Sequence, residues 1–128
     1  MADTALGLII RFFRDRKGLS LRELGRQIDV DHAYIHRLER GDKHTPSLRL
    51  LERLAVALNV SEREKQILLV AVQAPDSDPA LAQYVLENDD VAPDEYRTAA
   101  SVAFRGTGRP DPESLIRKVR LILSDDDG

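Results

Sequence analysis

The chain has 128 residues, of which 42% are hydrophobic and 32% charged, and it contains no cysteine. A chain without cysteine has no disulfide and no thiolate site, so a reducing compartment, the cytoplasm, is expected. No apolar run approaches the roughly 20 residues that cross a membrane, and the N-terminus lacks the apolar core of a signal peptide. We therefore expect a globular cytoplasmic protein with no membrane contact.

The charge is divided unevenly along the chain. Residues 1–74 carry 13 basic and 10 acidic side chains, whereas residues 75–128 carry 6 basic and 12 acidic ones. A basic half can bind a polyanion, and an acidic half repels one. The division predicts two parts with different roles.

The first 41 residues have the pattern of three short helices. Gly18 ends the first helix, Ser20 and Glu23 form a capping box that begins the second, and Asp31 caps the third, which ends at Gly41. The inner face of the first helix is predicted from apolar residues at helical spacing, namely Leu6, Ile9, Ile10 and Phe13.

Two further helices follow in the first half. Pro46 and Ser47 open the fourth, and Ser61 with Glu64 forms a second capping box that opens the fifth. The fourth helix is expected to turn its apolar residues inward, namely Leu48, Leu51, Leu54, Ala55 and Leu58.

A segment with two prolines, 75–79, is the strongest linker signal in the chain. We place a boundary there, with one domain at 1–74 and a second at 80–128. The second domain is predicted to hold three short helices, at 80–87, 93–104 and 113–123. Its acidic end, 124–128, is expected to be disordered. Since no strand pattern of comparable quality occurs, the predicted fold class is all-α.

The segment 20–41 has the arrangement of a helix-turn-helix, two short helices joined by about three residues, the second with an exposed polar face. Gly25 supplies the small residue needed where the two helices cross. Asp29 lies in the connection, where a residue that tolerates a positive φ is required.

This segment, SLRELGRQIDVDHAYIHRLERG, resembles the helix-turn-helix of XRE/Cro-type phage repressors. The Pro-Ser-Leu-x-x-Leu-x-x-Leu-Ala that follows belongs to the same pattern, so the resemblance covers residues 6–72. It implies a five-helix, phage-repressor-like domain that binds double-stranded DNA. Leu21, Gly25 and Asp29 depart from the usual Gln, Ala and Gly, and Leu21 removes one expected phosphate contact.

The resemblance also implies which residues contact DNA. The N-terminal part of the third helix would meet base edges in the major groove through His32, Ala33, His36 and Arg37. Phosphate contacts are expected from Ser20, Arg22, Arg40, Lys43, His44 and Thr45. Arg14 and Glu39 stand where this family has a buried ion pair between the first and third helices.

Other chemistries find little support in the sequence. His32 and His36 are spaced as metal ligands can be, but no zinc-type spacing supplies the third ligand, so no metal is expected. Residues 106–110 lack the ending of a phosphate-binding loop. Because all the histidines lie within 32–44 and no catalytic set occurs, we expect neither an enzyme nor a cofactor.

The three helices after residue 79 offer too small a core to be stable alone. We expect this part to form a homodimer through the apolar residues of the last helix, namely Leu115, Ile116, Val119, Ile122 and Leu123. The alternative is that these helices pack back on the first domain.

The second half has a narrower resemblance, carried by residues 93–98, Phe104-Arg105-Gly106, Arg109-Pro110 and the final amphipathic helix. These resemble the C-terminal domain of DdrO-type repressors of DNA-damage genes. The resemblance implies cleavage by an IrrE/ImmA-like zinc metallopeptidase, with the Phe104–Arg105 bond as the candidate site. Repressors of prophages and mobile elements follow the same logic.

The predicted function is therefore a homodimeric, sequence-specific transcriptional repressor that proteolysis inactivates during a stress response. The alternative is an antitoxin or adaptor whose C-terminal half binds a partner protein and whose DNA binding is autoregulatory.

Overall fold

The computed structural model describes residues 4–42, 45–102 and 111–126. All regular structure in these ranges is helical, as the sequence predicts. None of the described helices is both long and apolar enough to cross a membrane. The helices are α1 (Ala5–Lys17), α2 (Leu21–Ile28), α3 (His32–Arg40), α4 (Leu48–Ala57), α5 (Glu62–Gln73), α6 (Pro79–Glu87), α7 (Pro93–Ser101) and α8 (Pro112–Asp126).

The ends of the first three helices follow the predicted capping residues. The Ser20 hydroxyl accepts from the Glu23 N–H at 3.0 Å, and the Glu23 carboxylate accepts from the Ser20 N–H at 2.9 Å. Gly18 and Gly41 end α1 and α3 in the left-handed conformation, with φ of 73° and 85°. Asp29 takes the positive φ, 57°, that the turn after α2 requires.

Helix α1 lies at the centre of the fold and packs against α3, α5 and α6. Its apolar residues are fully buried on more than one side, namely Ala5, Ile9, Ile10 and Phe13. Gly7 allows the closest of these approaches. A Cβ built there would lie 2.5 Å from the Glu39 carbonyl oxygen and 2.7 Å from that of Leu38. Any larger residue would therefore push α1 away from the end of α3.

The three C-terminal helices pack back on the first five, the alternative that the sequence left open. Helix α6 lies on α1, α7 on α5, and α8 on α6 and α7. Their buried side chains belong to the same continuous core as those of α1–α5, among them Leu81, Val85, Tyr96 and Ile116. The core is thus not divided at 75–79, although we placed the boundary between domains there.

The segment predicted as a linker is a tight turn. The Ser77 N–H donates to the Ala74 carbonyl at 3.0 Å, and the Asp78 carboxylate caps α6 by accepting from the Ala80 N–H at 3.0 Å. Pro79 occupies the first turn of α6, where a missing N–H costs nothing. The same residues that suggest a linker therefore serve to end one helix and begin the next.

Arginines tie the elements together at the surface of this core. The Arg16 guanidinium donates to both carboxylate oxygens of Glu64, at 2.6 and 3.0 Å, and so joins α1 to α5. This hydrogen bond is the largest reason why the pKa of Glu64 lies below its usual value. The Arg120 guanidinium donates to Glu95 at 2.9 Å and joins α8 to α7.

Three details differ from the sequence predictions. Leu48 is 67% exposed rather than inward, because it is the first residue of α4 and the inward stripe begins at Leu51. Helix α7 ends at Ser101, short of the predicted 104. Helix α8 continues to Asp126, so residues 124–126 are helical where disorder is predicted. No proline or glycine stands between Pro112 and Gly128 to end the helix earlier.

Substituting Gly7→Ala should destabilise the fold by about 1–3 kcal/mol, because the new methyl group meets backbone that has little room to move. Helix propensity alone predicts the opposite sign, a gain of up to about 1 kcal/mol. The free energy of unfolding in urea measures the difference.

Gly18→Ala serves as the control. A Cβ at Gly18 meets no atom within 4 Å, so this substitution costs only the backbone strain of an alanine at positive φ. Unchanged or increased stability of Gly7→Ala would contradict the close approach of α1 to α3.

Candidate nucleic-acid interface

In the turn between α2 and α3, the backbone of Val30 lies close against the backbone of Gly25 in α2. The Val30 N–H donates to the Gly25 carbonyl at 3.0 Å, and a Cβ at Gly25 would lie 2.7 Å from the Val30 carbonyl oxygen. Gly25 therefore lets the turn fold back over α2. The Asp31 carboxylate then begins α3 by accepting from the Ala33 N–H at 2.9 Å.

Helix α3 has one face in the core and one face toward solvent. Ile35 and Leu38 are buried. On the other side the four residues predicted to contact bases share one face, with Ala33 half-buried and the rest exposed, namely His32, His36 and Arg37. This face offers a guanidinium and two imidazoles together, groups that can pair with purine edges. The structure thus brings the predicted base-contact residues onto a single exposed surface.

Of the residues predicted to contact phosphates, Arg22 lies beside His32, whereas Thr45 lines a separate depression with Thr4 and Leu6 of the N-terminal end and Ala71 of α5. Ser20, Arg22, Arg40 and Thr45 are exposed, whereas Lys43 and His44 lie outside the described residues. The oxygen of Ser20 already accepts the capping hydrogen bond of α2. Its hydroxyl proton can still be donated to a phosphate.

The predicted pair between Arg14 and Glu39 is present and is bidentate. The Arg14 guanidinium donates to the two carboxylate oxygens at 2.6 and 2.9 Å and to the Leu19 carbonyl at 3.0 Å. Glu39 is the buried charged residue of the described core, 7% exposed. The hydrogen bond to Glu39 is the main reason why the pKa of Arg14 lies above its usual value. Through Arg14, the C-terminal end of α3 is thus held to α1. The same guanidinium also holds Leu19, the residue before the N-cap of α2.

One basic residue of this surface was missed from the sequence. Arg26 shares a shallow depression between α2 and α3 with Arg22, His32 and two aspartates, Asp29 and Asp31. The sequence signal was available, because Arg22 and Arg26 stand four residues apart and so share a face of α2. The predicted phosphate contacts of Ser20 and Arg22 cover only the N-terminal end of α2.

The residues predicted for dimerisation divide into two groups. Leu115, Ile116 and Val119 are at most 7% exposed, because α8 packs them against α6 and α7 of the same chain. They therefore present no free face in this structure, and their part in a dimer stays a prediction. Ile122 is 53% exposed, and Leu123 is half-buried. The candidate cleavage residues, Phe104 and Arg105, lie outside the described residues.

In the described part of the chain, no three histidine, aspartate or glutamate side chains gather as metal ligands could. His32 has a different neighbour. Its Nδ1 lies 3.5 Å from the Asp31 carboxylate, which caps the helix.

Removing one member of the ion pair, as in Arg14→Leu, should destabilise the fold by about 3–5 kcal/mol, since it leaves the Glu39 carboxylate buried without its partner. The double variant Arg14→Leu/Glu39→Leu should lose much less, because no unpaired charge remains. Urea unfolding of the two single variants and the double variant measures the coupling. Additive losses would contradict a buried, coupled pair.

Comparison with known proteins agrees with this geometry. Residues 5–67 match the family model described as a helix-turn-helix domain. The chain is 36% identical over 59 residues to the HTH-type transcriptional regulator SlrR of Bacillus subtilis (strain 168), which is 46% of this chain and 39% of SlrR. It is also 36% identical over 56 residues to the HTH-type transcriptional regulators SinR of Bacillus subtilis (strain 168) and of Bacillus licheniformis, 44% of this chain and 50% of each.

The chain therefore spans half or less of the length of the regulators that it matches. The match to the family model covers α1–α4 and the first half of α5, and it includes the helices α2 and α3 that carry the surface described above. Residues 5–67 of this chain are thus similar to a helix-turn-helix domain, and the chain is similar over part of its length to HTH-type transcriptional regulators.

Proposed function

We propose that this protein is a transcriptional repressor that reads the major groove of double-stranded DNA with α3. The observation that carries the proposal is the exposed face of α3, where Arg37 and two histidines project from a helix whose other side is fixed in the core. A helix must be held rigidly to discriminate between bases, and the buried Glu39 with Ile35 and Leu38 holds this one.

The chemistry of the face fits base readout. The Arg37 guanidinium can donate two parallel hydrogen bonds to guanine, and the imidazoles of His32 and His36 can pair with purine N7 or O6. The Ala33 methyl group can contact a thymine methyl group. Exposed Arg22 at the start of α2 adds a contact to phosphate, which fixes the protein on the duplex without reading sequence.

Substituting Arg37→Ala should cost about 1–3 kcal/mol on the preferred operator and relax base preference at one position. Arg22→Ala should weaken binding to all sequences alike and lower the salt slope of log affinity by about 1. Fluorescence anisotropy with a selected operator and with random duplex, each at two salt concentrations, separates the two effects.

Arg117→Ala is the matched control, because this exposed arginine of α8 lies outside the proposed surface and its loss changes the net charge equally. Equal effects of the three substitutions would contradict the assignment of α3 to the groove.

We further propose that the repressor acts as a homodimer, which would place two α3 helices on two half-sites about one turn apart. Large apolar residues that remain exposed support a second contact surface. Leu121 and Ile122 are 63% and 53% exposed at the end of α8. Because Leu115, Ile116 and Val119 are buried within one chain, we place the proposed dimer surface at the end of α8. It consists of Leu121, Ile122 and Leu123.

The dimer is tested by sedimentation equilibrium of the full chain. We expect a dimer for the native chain, and a clear shift toward monomer for Ile122→Asp but not for Leu48→Asp, which also alters an exposed leucine. A native chain that stays monomeric at all concentrations would favour the alternative function, an antitoxin or adaptor whose C-terminal helices bind another protein.

The resemblance to DdrO-type repressors supports one more proposal, that an IrrE/ImmA-like zinc metallopeptidase inactivates the repressor in a DNA-damage or mobile-element response. A cut at Phe104–Arg105 would separate α8 from α6 and α7, against which it buries Ile116 and Val119. Intact mass after incubation with such a peptidase should show two fragments from that bond. No cut, or a cut elsewhere, would contradict the proposed site.

A further inference from the structure

We propose that α1 couples α6–α8 to α3, the proposed recognition helix, so that displacement of α6 from α1 loosens α3 and weakens DNA binding. The DNA-binding consequence rests on the proposed function, but the coupling itself does not. It follows from the position of α1, which packs against both α3 and α6.

One side of α1 fixes the recognition helix. Gly7 brings the backbone of α1 against the carbonyl groups of Leu38 and Glu39 at the end of α3. Arg14, two turns further along α1, holds the Glu39 carboxylate at 2.6 Å. Two separate contacts, one of backbone and one of charge, therefore make the orientation of α3 depend on the position of α1.

Another side of α1 is covered by α6. Three buried residues of α6 are at most 2% exposed, namely Leu81, Ala82 and Val85. They share a continuous core with Ile9 and Ile10 of α1. If α6 moved away, apolar surface of α1 would meet water, and a helix of 13 residues has little stability in water without its packing.

Arg63 of α5 holds the C-terminal end of α6 in this position by hydrogen bonds. Its guanidinium donates to the carbonyl groups of Val85 at 2.8 Å, Asn88 at 2.8 Å and Val91 at 2.9 Å. These carbonyl groups lie at the end of α6 and in the turn after it, beyond the regular hydrogen bonds of the helix. Val85 accepts there from the Asn88 N–H at 3.4 Å, and Asn88 accepts from the Val91 N–H at 3.1 Å. A cation at the C-terminus of a helix also complements the helix dipole. One side chain of the first half thus closes the end of the helix that covers α1.

The coupling predicts reciprocity in the native full chain, because a ligand that stabilises α3 must stabilise whatever opens with it. We expect saturating random-sequence duplex DNA to slow amide hydrogen exchange in α1 and α6 as well as in α2 and α3. Exchange measured by mass spectrometry with and without the duplex tests this directly. Protection confined to α2 and α3, with α6 unchanged, would overturn the coupling.

A second experiment needs no DNA and tests the role of the Arg63 hydrogen bonds at the end of α6. Arg63→Gln should speed amide exchange in α6, α1 and α3 together by about tenfold, since several hydrogen bonds from a charged donor are lost. Arg120→Gln is the matched control: it removes an arginine that joins α8 to α7, at 2.9 Å from Glu95, and should leave α1 and α3 unchanged. Faster exchange of α6 alone in Arg63→Gln would also overturn the proposal.

The two arms separate this inference from the proposed function. A native chain that fails to bind any duplex contradicts the DNA-binding function, yet the Arg63→Gln arm still decides whether α6 and α3 open together. A chain that binds duplex but shows independent exchange of α6 and α3 in both arms retains its function and loses the coupling.

Discussion

The orientation of α3, the proposed recognition helix, depends on the close approach of α1 to its C-terminal end. Gly7 removes the side chain that would keep the two backbones apart, and the Arg14–Glu39 pair satisfies a carboxylate that is almost fully buried. Such a pair adds little net stability, because burying both charges costs about as much as their attraction returns. The pair instead fixes the orientation of α3 relative to α1, and base recognition requires such a fixed orientation.

The same helix explains why the second half is not separate in this structure. A helix-turn-helix unit of five short helices has a small core, and small cores leave little margin of stability. Helix α6 enlarges that core by covering α1, and α7 and α8 cover α5 and α6 in turn. Helices α6–α8 therefore stabilise the helices that carry the proposed DNA surface. The acidic charge of the second half does not require it to be a separate domain.

The local features could be predicted from the sequence because their causes lie within a few residues. The capping box of Ser20, the positive φ of Asp29 and the helical class all follow from neighbours along the chain. The packing of α6 on α1 could not, since proline and aspartate at 75–79 begin a helix as readily as they form a linker. The role of Gly7 was equally hidden, because its reason is a contact with Glu39, far along the chain.

The most direct test of DNA reading by α3 is a titration of the isotope-labelled full chain with duplex DNA, followed by amide chemical shifts. The largest changes should fall on residues 32–40 and on the first turn of α2, around Arg22, and those of α6–α8 should be smaller. Changes centred on α6–α8, or none at low salt, would contradict the assignment of the DNA surface to α3.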